Sequence, residues 1–196
     1  VAHRSSRTLR VLAALLVTVH HPPAAVVERA LAATSSLRRR ARSKLGYKIK
    51  PMSPSELEQK GKKLTHFQRL VSFEAATEVA FSGKTTNGYA HNDKTPGYYV
   101  GAVSGLPLFS SREKFNSGTG WPSFWAPVDD KHVILREDPD DGGWLRRVEV
   151  LDAVSGAHLG HVFRDGPKPT GMRYCINAAA LTFVPSQDGT VPRGKR

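Results

Sequence analysis

The chain has 196 residues, of which 39% are hydrophobic and 23% charged, and this composition excludes wholesale disorder. No apolar run approaches the roughly 20 residues that a membrane-spanning helix requires, so we predict no association with a membrane. The only cysteine, Cys175, excludes an intramolecular disulfide and any metal site that needs two thiolates from this chain.

The net charge of +12 is concentrated near the N-terminus. Residues 1–63 contain fourteen Lys and Arg against three acidic residues, whereas residues 64–196 contain fifteen basic and fourteen acidic residues. A nucleic-acid-binding domain carries its basic surface on the folded part of the chain. Because the folded part here is nearly neutral, we predict no nucleic-acid partner.

Residues 1–50 are rich in Arg, Ala and Ser and contain one acid, Glu28. This composition is typical of an organelle transit peptide and predicts a location in the mitochondrion or plastid. A secretory signal is the alternative, because three arginines precede an apolar run at residues 11–19. The third alternative is a disordered basic tail that has no targeting function. We therefore treat residues 1–50 as a basic targeting or disordered segment and residues 51–196 as the catalytic domain.

The folded part begins with helical patterns and continues with strands. Ser53 followed by a proline and a glutamate is a helix start, and helical spacing of apolar residues between Leu64 and Phe81 predicts one or two short helices. Beyond residue 82, Gly and Pro separate short apolar runs, which predicts a mainly β body of antiparallel strands. The runs lie at residues 98–103, 132–135, 144–150 and 181–184. The polar residues 186–196 are expected to fray.

Three segments contain residues that packing alone does not require. They are residues 117–125 around Trp121, residues 158–167 and residues 169–177. If residues 172–177 form a strand, Arg173, Cys175 and Asn177 point to one face. Positive or hydrogen-bonding groups beside a thiol stabilise its thiolate, so this face has the composition of a reactive site. A lone buried cysteine is more often structural, and spacing alone does not bring a histidine to the sulfur.

From about Leu64 to Val184 the sequence resembles the methionine-R-sulfoxide reductase (MsrB) family. The resemblance lies in Ser-Gly-Thr-Gly-Trp-Pro-Ser-Phe (117–124), His-Leu-Gly-His-Val-Phe (158–163) and Asp-Gly-Pro-Lys-Pro-Thr-Gly-Met-Arg-Tyr-Cys-Ile-Asn (165–177), with shorter matches at 77–83 and 104–111. It implies a β-rich α+β fold of two antiparallel sheets with short N-terminal helices. It also implies protein repair under oxidative stress, through reduction of the R epimer of methionine sulfoxide in proteins.

The resemblance implies catalytic roles for Cys175, His158, His161, Asn177 and Arg173, and substrate-binding roles for Trp121 and Phe163. Cys175 would attack the sulfoxide sulfur and become a sulfenic acid. The histidines and the asparagine would hold or protonate the oxygen, which is a poor leaving group without a proton. The aromatic side chains would pack against the S-methyl group and select one epimer by shape.

Two departures from the family pattern change the expected chemistry. Many members bind a structural zinc through two Cys-x-x-Cys pairs, which correspond here to Gly101, Ser104, Asp152 and Ser155. We therefore predict no zinc and no other cofactor, and we expect packing to hold this region instead. Many members also carry a resolving cysteine where this chain has Thr119. The sulfenic acid must then be reduced by an external thiol, from thioredoxin or from glutathione with glutaredoxin. We predict a monomer that acts on oxidised proteins.

Two other functions are open from the residues alone. A Cys–His–Asn hydrolase would use Cys175, a histidine and Asn177, although no evident loop supplies an oxyanion hole. A β-sheet module that binds oxidised methionine without turnover is the second alternative. The presence of Cys175 together with His158, His161 and Asn177 argues against a module of that kind.

Overall fold

The computed structural model of the chain describes residues 42–137 and 147–195. Residues 1–41 of the predicted targeting segment lie outside the described residues, as do residues 144–146 of one predicted strand. Within the described ranges, no helix is long and apolar enough to cross a bilayer.

Two short helices open the fold. Helix α1 spans Pro54–Gly61 and helix α2 spans His66–Glu74. Both begin with a capping box, and in α1 the Ser53 hydroxyl accepts the Glu56 backbone N–H while the Glu56 carboxylate accepts the Ser53 N–H. The helix start predicted at Ser53 is confirmed, and the stretch from Leu64 to Phe81 contains one helix.

The described residues form nine strands in two antiparallel sheets. The strands are β1 (Gly97–Gly101), β2 (Pro107–Ser110), β3 (Lys114–Phe115), β4 (Ser123–Phe124), β5 (Val133–Glu137), β6 (Val148–Asp152), β7 (His158–Phe163), β8 (Arg173–Ile176) and β9 (Leu181–Pro185). One sheet has the order β2-β1-β9 and the other β3-β4-β8-β7-β6-β5. The predicted fold class is confirmed: mainly β, with two antiparallel sheets and short N-terminal helices.

The predicted apolar runs correspond to strands of both sheets. Residues 98–103 and 181–184 fall on β1 and β9, which pair with each other, and residues 132–135 overlap β5. The described part of the run 144–150 enters β6. Strands β3 and β4 are two residues long, which is too short for an alternating pattern to be recognised in the sequence.

An aromatic core joins the two sheets. Phe109 of β2 stacks on Phe124 of β4 with ring centroids 4.5 Å apart, and Tyr99 of β1 meets Phe124 edge-on at 5.1 Å. All three rings are almost fully buried. Aromatic pairs in such offset and edge-on arrangements add to the stabilisation from burial, so the core fixes the larger sheet against the smaller one.

Both ends of the described chain pack on the domain. Residues 42–50, which we grouped with the basic N-terminal segment, place Ile49 in the core with 4% of its surface exposed. The Gly194 N–H donates to the Leu45 carbonyl at 3.0 Å. The expectation that residues 186–196 fray is therefore wrong for the described part of that segment, because it hydrogen-bonds to residues 42–50.

Candidate active site

Cys175 lies in a row of side chains that crosses the six-stranded sheet. It pairs with Ser123 on β4 and with His161 on β7. His161 in turn pairs with Glu149 on β6, and Glu149 pairs with Arg136 on β5. Residues that pair directly across antiparallel strands share one face, with Cβ atoms about 5 Å apart. We call these five residues the site row.

A β-bulge brings His158 to the same face as His161. Between β6 and β7 the register shifts, so that Gly160 pairs with Val150 and His158 pairs with Leu151, and Leu159 is the extra residue. Three positions apart on a regular strand, the two histidines would point to opposite faces. Instead, their ring centroids are 5.4 Å apart in an edge-on arrangement.

Only glycine fits at position 160. Its φ of +154° lies in a region that side chains rarely adopt, and an added Cβ would lie 2.1 Å from the backbone oxygen of Cys175. The close approach of the β7 and β8 backbones beside the bulge therefore depends on Gly160.

His158 is buried and fixed by an acidic partner. Its Nδ1 lies 2.8 Å from Oε1 of Glu149, whose other oxygen accepts the Arg136 Nε–H at 3.1 Å. Burial raises the pKa of Glu149, but the hydrogen bonds from His158 and Arg136 outweigh it and lower the pKa to about 2. The carboxylate is therefore ionised at neutral pH and holds a proton on Nδ1.

The other nitrogen of His158 has no hydrogen-bond partner among the described residues. Its Nε2 is buried, and no group in the described part of the chain lies within hydrogen-bonding distance of it. Buried polar atoms are rarely left unpaired in folded proteins, and exceptions occur at functional sites. With Nδ1 engaged by Glu149, Nε2 is the atom of this ring that is available to exchange a proton with a bound molecule.

The Cys175 thiol is half-buried and weakly supported. Thr119 Oγ1 lies 3.9 Å from Sγ, and the Arg173 guanidinium also interacts with the sulfur. Burial raises the pKa of Cys175 above its ordinary value, and the neighbouring hydroxyl and guanidinium offset only part of this rise. The thiol therefore carries its proton at neutral pH before substrate binds.

Arg173 is positioned by two further contacts. It donates to both carboxylate oxygens of Asp165 at 2.8 Å, and its guanidinium carbon lies 4.4 Å from the centroid of the Phe163 ring. The ring that was expected beside the substrate is thus stacked on the arginine that faces Cys175. Bidentate pairing and cation–π stacking together hold a guanidinium more firmly than either contact alone.

Asn177 follows β8, and its buried amide connects neighbouring segments. Its Oδ1 accepts the Glu78 N–H at 3.0 Å, and its Nδ2 donates to the carbonyl of the bulged residue Leu159 at 3.1 Å. These contacts give Asn177 a positioning role at the bulge. In a Cys–His–Asn hydrolase the asparagine would orient the histidine, whereas here Glu149 bonds to His158.

Trp121 is held by the segment that Asn177 anchors. Its Nε1–H donates to the Glu78 carbonyl at 3.1 Å. The buried Glu78 carboxylate accepts the N–H groups of Ala178 and Ala179 at 2.7 and 2.9 Å. These bonds run from the end of β8 through Glu78 to Trp121, so the partly exposed indole has a fixed position.

Comparisons with known proteins identify the family of the chain. The SelR domain matches residues 64–185. The chain belongs to the SelR-domain family. It is 45% identical over 135 residues to the peptide methionine sulfoxide reductase MsrA/MsrB of Vibrio cholerae, covering 69% of this chain and 34% of that protein. The resemblance to the MsrB family is confirmed.

Two other relatives carry related names. The chain is 46% identical over 125 residues to methionine-R-sulfoxide reductase B3, mitochondrial, of Mus musculus, covering 64% of this chain and 47% of that protein. It is 48% identical over 122 residues to the peptide methionine sulfoxide reductase MsrB of Leptospira interrogans, covering 62% of this chain and 88% of that protein. The chain thus spans about a third of the Vibrio relative, about half of the mouse relative and most of the Leptospira relative.

The four positions that the resemblance to the MsrB family relates to a zinc site in many members lie together here, but their chemistry is different. The Asp152 carboxylate accepts the Ser104 hydroxyl and the N–H groups of Val154 and Ser155, the last two at 2.8 and 3.0 Å. An added Cβ at Gly101 would lie 2.2 Å from Asp152 Oδ2. This set offers one carboxylate and neither a thiolate nor an imidazole, so it does not suit tetrahedral zinc. We expected side-chain packing to stabilise this region, and the structure shows that hydrogen bonds to the Asp152 carboxylate connect its segments.

A cavity of about 390 Å³ opens beside the site row. Its walls include Phe115, Thr119, Asp165 and Arg173. Thr119 is the residue whose hydroxyl lies 3.9 Å from Cys175 Sγ, so the cavity gives polar molecules a route to the neighbourhood of the sulfur. In this SelR-domain chain the cavity therefore reaches Thr119 and Arg173, the two side chains that contact the thiol, whereas Cys175 and the two histidines are not among its walls.

The sequence patterns missed several members of the site. Glu149 and Arg136 lie on strands far from the recognised motifs, and no local pattern connects them with His158. Ser123 stands inside a recognised string, yet its place opposite Cys175 depends on the pairing of β4 with β8. An acidic residue in the strand before the His-containing strand was the one available signal for Glu149.

Proposed function

We propose that this protein reduces the R epimer of methionine sulfoxide in oxidised proteins to methionine. One observation carries the proposal: a thiol lies in register with His161, next to a second histidine whose buried Nε2 has no partner among residues 42–137 and 147–195. The names of its SelR-domain relatives support the same activity.

In the first step, Sγ of Cys175 attacks the sulfoxide sulfur and oxygen passes to Sγ. The substrate sulfur gains two electrons and leaves as the thioether, while Cys175 loses two and becomes a sulfenic acid. The thiol releases one proton and the sulfenic acid takes one up, so the step balances without another reactant. We assign His158 Nε2, which carries no proton while Glu149 accepts the Nδ1–H, the role of receiving the thiol proton, and His161, directly opposite Cys175, the role of protonating the oxygen.

The aromatic and cationic side chains of the site orient the substrate. The Trp121 indole, fixed through Glu78, supplies an apolar wall for the S-methyl group. Arg173, stacked on Phe163 and paired with Asp165, places a positive charge beside the sulfur, where it favours the thiolate as the reaction begins. Asn177 holds the bulge and the Glu78 segment in their relative positions.

The second half of the cycle needs an external reductant. Two thiol equivalents convert the sulfenic acid back to the thiol and release water and a disulfide. Thioredoxin, or glutathione with glutaredoxin, is the class of reductant that we propose, for a monomeric enzyme without zinc. We further propose that the basic segment directs the protein to the mitochondrion or plastid, with the secretory pathway as the alternative address.

The proposed activity is tested with racemic dabsyl-methionine sulfoxide, dithiothreitol and chiral separation of the remaining substrate. We expect only the S epimer to remain. Survival of both epimers would contradict the proposal, and consumption of both would contradict its stereochemistry.

A cysteine at position 119 is expected to make the cycle internally resolving. Because Thr119 Oγ1 lies 3.9 Å from Sγ, a thiol there would need only a small shift to reach the roughly 2.0 Å of a disulfide. After one turnover without external thiol, we expect dimedone to label the wild-type protein on Cys175. The Thr119→Cys variant should resist dimedone and lose both free thiols.

The matched control for this experiment is Thr119→Ser, which keeps a hydroxyl at the position and should label as the wild type does. Equal dimedone labelling of the Thr119→Cys variant and the wild type would show that the 119 side chain does not reach the oxidised sulfur.

A further inference from the structure

Two large apolar side chains are exposed beside the candidate active site. Val79 is 74% exposed and Phe81 is 66% exposed, and we call these two residues the apolar pair. In the described part of the chain the other exposed large apolar residues are Phe67 and Leu135, which are 46% and 47% exposed. Those two lie on separate elements, in α2 and β5, whereas the apolar pair occupies one three-residue stretch.

The backbone that carries the apolar pair is held at several points. Glu78, immediately before it, accepts and donates the hydrogen bonds that fix Trp121 and the end of β8. The Phe81 N–H donates to the Gly120 carbonyl at 2.8 Å, and the Ser82 hydroxyl donates to the Val79 carbonyl at 2.8 Å. The apolar side chains are therefore presented from a fixed segment.

Phe81 also adopts an unfavourable backbone conformation. Its φ of +66° lies in the left-handed region, which is uncommon for a bulky residue. Asparagine or glycine would occupy this conformation at lower cost. Strained backbone of this kind is concentrated at functional sites, so the exposed ring at this position calls for a function.

The apolar pair is continuous with the site. An added Cβ at Gly120 would lie 2.8 Å from Cδ2 of Phe81, so the ring rests on Gly120. The residues on either side of Gly120 are Thr119, whose hydroxyl is 3.9 Å from Cys175 Sγ, and Trp121. A polypeptide that places a side chain at the sulfur would therefore pass its neighbouring residues close to the ring.

We propose that the apolar pair binds the apolar side chains that flank methionine sulfoxide in an unfolded stretch of polypeptide. This inference rests on the function proposed above and specifies its substrate class. Methionine is mostly a core residue, so the residues that share its buried face, three or four positions away on a helix or two away on a strand, are mostly apolar. Oxidation makes the side chain polar and disrupts the core, which exposes these neighbours together with the damaged residue. Their contact with the apolar pair removes apolar surface from water on both sides.

The test removes the apolar surface without adding backbone strain. Val79→Thr preserves side-chain shape, and Phe81→Asn places at φ +66° a residue that tolerates it. The matched control is the double variant Phe67→Asn/Leu135→Thr, which makes the same kinds of change at exposed sites elsewhere. Binding is measured by fluorescence anisotropy in a Cys175→Ser background, with labelled unstructured peptides carrying methionine sulfoxide flanked by leucines or by serines.

We expect the Val79→Thr/Phe81→Asn variant to raise the Kd for the leucine-flanked peptide about tenfold, and the control variant to leave it unchanged. The serine-flanked peptide should bind all three proteins with similar, weaker affinity. An unchanged Kd for the leucine-flanked peptide, or an equal rise in the control variant, would overturn the inference. Turnover of N-acetyl-methionine sulfoxide amide by the wild-type enzyme tests the proposed function separately, so the two failures are distinguishable.

Discussion

We expect replacement of Cys175 by serine to abolish the proposed sulfoxide reduction and to leave the fold in place. A serine hydroxyl is a poor nucleophile toward sulfur and cannot form the sulfenic acid on which the cycle depends. The side chain is half-buried, and its nearest hydroxyl, Thr119 Oγ1, is 3.9 Å away. We therefore expect the free energy of unfolding to change by less than about 1 kcal/mol. Turnover of dabsyl-methionine sulfoxide and a denaturant titration provide the two measurements.

The control for this variant is Thr119→Ser, which alters the same neighbourhood and keeps the nucleophile. Turnover by the Cys175→Ser protein would show that an atom other than Sγ of Cys175 accepts the oxygen, which would contradict the mechanism. If Cys175→Ser loses turnover and also unfolds, Cys175→Ala separates the two effects, since a smaller apolar residue fits the same space. This variant should remain folded and should also lack turnover.

Glu149→Gln is the second change with a large expected effect, a fall in kcat/KM of about 100-fold or more. The ionised carboxylate keeps the proton of His158 on Nδ1. The buried Nε2, which has no partner among the described residues, is then left without a proton. A glutamine can turn its NH₂ group toward Nδ1, which places the proton on the other nitrogen. Nitrogen NMR of the His158 ring should then show the tautomer change, which a merely structural role for Glu149 would not produce.

The pH dependence of stability gives a second measurement on Glu149. Its pKa of about 2 is below the ordinary 4.5, so the ionised carboxylate stabilises the folded state fully above about pH 4.5. That stabilisation is lost as the pH falls through 2. The difference in unfolding free energy between the wild type and Glu149→Gln should therefore narrow as the pH falls from about 4.5 to about 2.

The control for the effect of Glu149→Gln on activity is Glu137→Gln, at an exposed position of β5, in which kcat/KM should remain near the wild-type value. A kcat/KM of Glu149→Gln within about threefold of the wild type would contradict the role of the carboxylate.

The sequence by itself determined the family and much of the local structure. The Ser53 capping signal predicted where α1 begins, because capping depends on residues three apart. The apolar runs predicted the strand-rich body, and alternation along residues 172–177 predicted that Arg173, Cys175 and Asn177 share a face. Asn177 lies just beyond the end of β8. The long motifs carried the family resemblance, which the SelR-domain match confirmed.

Only the tertiary structure decided how those residues meet. The pairing of β6, β7 and β8 places Glu149, His161 and Cys175 in one row, and a strand's register depends on partners that are distant in sequence. The bulge at Leu159 reverses the direction in which simple alternation would point His158. The hydrogen bonds at Asp152 likewise required the folded backbone. Motifs specify which chemical groups are present, whereas long-range pairing specifies the distances between them.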